Sequence, residues 1–281
     1  MKTPRWVALI LCLIPVAASA ASAPSNATTQ LSLRTRIQPF HSDGPWVEAQ
    51  FDVTLVNAKT AIIITDMWDK HWCPSETERV KLLARRMEPL LDKARSSGML
   101  IIHAPSSTMK FYAGTPGRLL AKDAPHKQPP PELKLPEVPL PIDYSDGGCD
   151  TPAKQYDAWS REISTLAIKP GDVISDSGEE IYNVLQQHHI ETVLYVGVAS
   201  DMCVLDRTFG IKQMSRWGVR CILIRDMTDA MYDSRMKPYV SHTKANEMVI
   251  QYIEQHWAPT VTSNQVLSAL AGANGLSRQK Q

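Results

Sequence analysis

The stretch Gly197-Val198-Ala199-Ser200-Asp201-Met202-Cys203-Val204 carries the sharpest chemical signal in the chain. An apolar run ends in small residues, and a cysteine follows at the start of a helical pattern. A thiol placed there meets the positive end of a helix dipole and free backbone N–H groups. Both favour a thiolate, and the same N–H groups can stabilise an oxyanion. A buried structural cysteine fits the spacing as well. Asp66 has a matching setting, because Ala61-Ile62-Ile63-Ile64-Thr65 leads into it. A carboxylate that ends a buried strand serves as a helix cap or turn residue, or as a general base.

Both residues need a sheet to position them. Continuous apolar runs occur at Ala61-Ile62-Ile63-Ile64, Met99-Leu100-Ile101-Ile102, Val173-Ile174, Val193-Leu194-Tyr195-Val196 and Cys221-Ile222-Leu223-Ile224. Runs that do not alternate suit strands buried on both faces, as in a parallel sheet. Helical patterns fall between them. Ser75-Glu76-Thr77-Glu78 reads as a capping box opening a helix with Val80, Leu83, Met87, Leu90, Leu91 and Ala94 on one face. Ser177 opens a second. A third is expected to run unbroken from Cys203 to Arg216, and a fourth from Ser241 to His256. Alternating strands and helices predict an α/β domain, a three-layer α/β/α sandwich with a mainly parallel sheet of Rossmann-like type.

Residues 106–161 break that rhythm with Pro129-Pro130-Pro131, Pro136, Pro139, Pro141 and Gly147-Gly148. Proline at this density builds neither helix interior nor central strand. The insertion follows the second strand and so leaves from the carboxyl edge, where such folds bind ligands. It reads as a lid or pocket wall, with a solvated excursion as the other reading. Trp68, His71, Trp72 and Tyr112 are candidate pocket residues, and Tyr112 and Arg118 candidate contacts for an anionic substrate. Packing or surface roles fit these residues as well. His188 and His189 read as a solvated helix end.

The 281 residues carry 30 basic and 29 acidic side chains, a formal charge of +1. There is no basic excess to drive phosphate-backbone binding, so nucleic acid is excluded as a first partner. Residues 1–20 hold Lys2 and Arg5, a short apolar run and Ala18-Ser19-Ala20, the pattern of a cleaved secretory signal peptide with cleavage near Ala20 to Ala23. Export to the periplasm or medium is expected, leaving a mature charge of −1. No later run is long and apolar enough to span a membrane. Residues 21–45 read as a loose arm, 46–260 as the domain and 261–281 as a peripheral tail. Four mature cysteines, Cys73, Cys149, Cys203 and Cys221, are too few for a disulfide scaffold but leave room for one bridge.

Ile63-Ile64-Thr65-Asp66-Met67-Trp68, the Gly197–Val204 motif, Asp226-Met227-Thr228-Asp229-Ala230 and His242 together resemble the isochorismatase-like cysteine hydrolases, which include nicotinamidases and N-carbamoylsarcosine amidases. The resemblance spans roughly residues 59–260. It implies a six-stranded parallel sheet, homo-oligomers, and hydrolysis of a small amide or related carbonyl through a thioester. It assigns Cys203 as nucleophile, Asp66 as base, a cis peptide at Val198-Ala199, and an oxyanion hole from the N–H groups of Ala199 and Cys203. The family's lysine after the third strand is missing, because Val173-Ile174-Ser175-Asp176 puts Asp176 in its place. Lys70, Lys110, Lys154 or His71 could supply the cation instead. A non-hydrolytic homologue that binds or isomerises a ligand is the alternative. The family's metal-binding histidines are reduced to His103, and Asp69-x-His71 lacks a third ligand, so neither metal nor other cofactor is expected.

Overall fold

The computed structural model describes residues 27–39 and 44–278. The expected signal peptide lies outside them. One eight-stranded sheet has the order β2-β1-β8-β7-β6-β3-β4-β5. Its strands are β1 (Thr28–Ile37), β2 (Val47–Val56), β3 (Thr60–Thr65), β4 (Leu100–Ala104), β5 (Val173–Ile174), β6 (Thr192–Val198), β7 (Arg220–Asp229) and β8 (Thr260–Val261). The helices are α1 (Pro74–Ser96), α2 (Pro116–Lys122), α3 (Gly178–Gln187), α4 (Cys203–Asp206), α5 (Ile211–Arg216), α6 (His242–His256) and α7 (Ser263–Arg278).

Strands β3 to β8 pair parallel, so the α/β class holds and the six parallel strands are present. The sheet is larger than expected because β1 and β2 add an antiparallel hairpin at one edge. Residues 28–37 are therefore not part of a loose arm. Leu31 and Leu33 alternate with Ser32 and Arg34, which buries one face of the strand. Arg34 and Arg36 reach Glu254 of α6 at 2.7 and 3.2 Å, tying the hairpin down.

The central strands are apolar on both faces because both faces are covered. Ile62 and Ile64 pack with Leu83, Met87 and Leu90 of α1. Ile63 packs on the other side with Leu185 of α3 and Val249 of α6. Each such side chain contributes about 1.5–3 kcal/mol when buried. The C-terminal segment is not peripheral: Val266 and Leu270 of α7 are fully buried against the α1 side. Asp226 holds the start of α7 by accepting from Ser263 N at 2.7 Å.

Ser177 and Ser241 cap α3 and α6 as expected, each accepting a backbone N–H three residues on. The expected capping box on α1 is not formed. Pro74 starts that helix one residue earlier, and Ser75 instead bonds Asp150. Proline suits a first helical position because its missing donor has no helical partner there.

The insertion is pinned rather than loose. Ile163 N donates to Met67 O at 2.7 Å, Asp69 N to Arg161 O at 2.9 Å, and Trp68 forms an antiparallel bridge with Glu162. Cys73 and Cys149 are joined by a disulfide. His103 of β4 is fully buried, with Nδ1 2.6 Å from Glu162 and Nε2 3.2 Å from Asp172. Burial opposes its charge, but the two carboxylates outweigh burial and push its pKa up to about 9.

The native chain thus keeps a proton that an unfolded histidine releases above pH 6.5. This contribution is complete below that value and lost as pH rises through about 9. The melting temperature should fall across that window. His103→Gln should lower it throughout and flatten its pH dependence; an unchanged slope would remove His103 as the cause.

Candidate active site

Strands β3 and β6 run side by side and end together, with Thr65 opposite Gly197. Gly197 has φ +107°, and a Cβ there would lie 2.1 Å from Thr65 O. Only glycine lets the two strands approach so closely. Asp66 leaves β3 with φ +49°, and the Val198-Ala199 peptide is cis. The two turns bring Asp66 and Cys203 into hydrogen-bonding reach at the carboxyl edge of the sheet.

Asp66 is wholly buried and every partner is charged or polar. Oδ1 accepts from Ser106 N at 2.7 Å, and Oδ2 accepts from Arg207 Nε at 2.9 Å. Burial raises its pKa, and Arg207, the Cys203 thiol and Ser106 pull the other way. The Cys203 thiol is pushed up by burial and by Asp66, against Arg207 and the Ala199 N–H. Arg207 opposes both shifts.

Arg207 is the residue that sequence reasoning missed. The helix expected to run from Cys203 to Arg216 is broken into α4 and α5, and Arg207 leaves α4 in extended conformation. Gly210 N bonding Arg207 O at 2.7 Å closes the intervening turn. The break turns Arg207 back towards Asp66, with its guanidinium 6.0 Å from the Trp68 ring centroid. The one local hint was Gly210, a helix-weakening residue inside the apolar pattern; nothing in the spacing paired Arg207 with Asp66. The short α4 leaves little helix dipole, so the guanidinium is the main cationic influence on the thiol.

Asp176 does not join the site. It accepts from Ser107 N at 2.9 Å and lines no part of the cavity above Cys203. Lys70 stands over the Tyr156 ring, and Lys110 and Lys154 are exposed.

That cavity has a volume of about 240 Å³. Cys203, Arg207, Val198, Ala199 and Met202 line it on one side, and Trp68, His71 and Trp72 line it as well. Gly147, Gln155 and Trp159 of the insertion also face it, so this segment is a wall of the cavity. Trp68 and Trp159 stack at 4.3 Å. His71 Nδ1 accepts from Cys73 N at 3.1 Å, which places its proton on Nε2. Burial, then Arg79, push its pKa down to about 4, so it is neutral.

Tyr112 is not a cavity residue. It is buried behind the wall, where its Oη accepts from Glu162 N at 2.8 Å. Arg118 is engaged with Glu180 across α2 and α3. His188 and His189 are exposed at the end of α3. Asp69 is held by Ser160, so Asp69 and His71 do not converge on an ion. Cys73, Cys149 and Asp150 form the one cluster of metal-ligand types among the described residues, and its sulfurs are bridged.

A thiol, a buried carboxylate and a guanidinium thus meet under an aromatic cavity at the carboxyl edge of a parallel sheet. No family model and no curated protein matches this sequence. Among solved structures, a cysteine hydrolase from Pseudomonas syringae superposes with a TM-score of 0.50 at 16% identity, covering 78% of this chain and 95% of that one. An isochorismatase from Pseudomonas putida gives 0.46 at 15%, covering 74% and 90%. The pyrazinamidase of Pyrococcus horikoshii gives 0.42 at 14%, covering 73% and 99%. The chain has the isochorismatase-like fold.

Replacing Arg207 by Gln removes the cation that stabilises both anions. The pH at which Cys203 is half-alkylated by iodoacetamide, mapped by mass spectrometry, should rise by at least about one unit. Arg207→Lys should largely retain the native profile. Coincident profiles for Arg207→Gln and the native chain would refute the assignment.

Proposed function

We propose that this protein is a cysteine hydrolase that cleaves a small amide or related carbonyl compound through a thioester on Cys203. The observation that carries this reading is the Cys203–Asp66–Arg207 cluster at the floor of an aromatic cavity. It supplies nucleophile, base and cation in contact with one another.

Asp66 takes the thiol proton as sulfur attacks the carbonyl carbon, forming the S–C bond and an oxyanion. The N–H groups of Ala199 and Cys203 are the proposed donors to that oxyanion. The carbonyl re-forms and the C–N bond breaks, with the proton on Asp66 passing to the departing nitrogen. Water then attacks the thioester with Asp66 again as base, releasing a carboxylic acid and restoring the thiol. Arg207 orients Asp66 and favours its ionised form at each step in which it accepts a proton. The alternative, a non-hydrolytic homologue, rested on Asp176 standing in for a cation; the Arg207–Asp66 pair at 2.9 Å supports the hydrolase reading over it. The mature chain is proposed to be exported, which the Cys73–Cys149 disulfide supports because such bonds persist in oxidising compartments.

Incubation with a library of small amides and acid quenching should yield an acyl adduct on Cys203 in the intact-mass spectrum. Cys203→Ala should abolish the adduct and reduce turnover by roughly a thousandfold or more. Full turnover by that variant would end the proposal. Protein recovered from periplasm or medium should begin between residues 21 and 24; an intact residue 1 there would exclude a cleaved signal.

A further inference from the structure

A second group of charges borders the same cavity and has no part in the thioester cycle. Glu76, in the first turn of α1, lines the cavity and is 2% exposed. Its Oε2 accepts from Arg79 Nε at 3.2 Å and Nη2 at 2.9 Å. Its Oε1 has no hydrogen-bond partner among the described residues. A buried carboxyl oxygen without a partner costs free energy in the empty protein and is a ready contact for a ligand.

The neighbourhood is short of positive charge. Arg79 is shared among Glu76, Asp229 at 2.6 Å and Asp150 at 2.9 Å. His242 of α6 also pairs with Asp229, at 3.0 Å. Asp201, buried at the turn after β6, accepts from Met231 N at 2.9 Å through Oδ1 and leaves Oδ2 unpartnered. Four carboxyl groups thus face one guanidinium and one imidazole. His71 is neutral, and Arg207 is already engaged with Asp66. Burial and Asp229 push Glu76 up to about 8. Trp68, Trp72 and Trp159 line the same cavity. Aromatic faces attract cations, most strongly where water is excluded.

We propose that Glu76 determines substrate specificity, and that the substrate is an amide carrying a basic amine whose ammonium group donates to Glu76 Oε1 within the tryptophan-lined cavity. This rests on the hydrolase reading for the amide and on the Glu76 cluster for the amine. Binding of the ammonium favours ionised Glu76, so a proton leaves the carboxyl on binding at neutral pH. Affinity should therefore rise as pH approaches about 8.

The test uses the Cys203→Ala protein, so that binding is measured without turnover. Calorimetry compares 4-(aminomethyl)benzamide, 4-methylbenzamide and 4-carboxybenzamide. The cationic probe should bind at least about tenfold tighter than the neutral one, and the anionic probe weakest. Its heat in buffers of different ionisation enthalpy should report proton release. Glu76→Gln, checked for native folding by circular dichroism, should erase the preference for the cation. Equal affinities, a preference for the neutral or anionic probe, proton uptake, or no binding by any of the three would overturn the proposal. The proton release needs no Glu76 variant and stands if Glu76→Gln does not fold. Cation-selective binding by Cys203→Ala with no acyl adduct on the native chain would leave the ammonium contact at Glu76 intact and remove the hydrolase reading, and with it the amide. An acyl adduct without cation selectivity would do the reverse.

Discussion

A carboxylate buried at the end of a parallel sheet costs several kcal/mol unless each oxygen is bonded and its charge balanced. Asp66 is such a group, and much of the site's local structure follows from satisfying it. Oδ1 is met by the Ser106 N–H, from the loop after β4. Oδ2 is met by Arg207, which reaches it only because the helix after Cys203 stops after one turn. The thiol then fills the remaining space beside the carboxylate. Gly197 is needed one layer below, where β3 and β6 meet too closely for a side chain.

The cavity above this cluster depends on a second set of ties. The insertion contains little regular structure, yet it is anchored at both ends of its wall. The Trp68–Glu162 bridge and the Cys73–Cys149 disulfide attach it to the loop between β3 and α1. His103 holds Glu162 from beneath the sheet edge. Trp159 is thereby stacked on Trp68, and the wall faces the thiol. The same loop leads into α1, which carries Glu76 to the cavity with Arg79 bonded to it. One segment thus links the thiol cluster and the acidic cluster.

The sheet and its main helices were legible in the sequence, because their signals are local. Ile62, Ile63 and Ile64 announce a strand buried on both sides, and Ser177 and Ser241 announce helix starts. The β1 strand was read as a loose arm, because the polar composition around Leu31 and Leu33 masked their alternation. The α7 contribution was weaker in the sequence: few large apolar residues mark the helix, and only the packing of Val266 and Leu270 against the sheet reveals its role.

That Asp66 and Cys203 meet was implied only by the resemblance to a known family; the pattern of the residues announced the α/β class, a strand ending in Asp66, a cysteine just past another strand, and the tryptophan-rich loop after Asp66. These follow from periodicity and from the residues that end each strand. The tertiary structure alone decided which charges meet. Asp66 and Arg207 stand 141 positions apart, and Arg79 and Asp229 lie on different elements. Ion pairing depends on distance and burial in three dimensions, which local pattern does not encode. That is why the strand-end pattern pointed to Asp176 beside the thiol, whereas in three dimensions it is Arg207 that bonds Asp66.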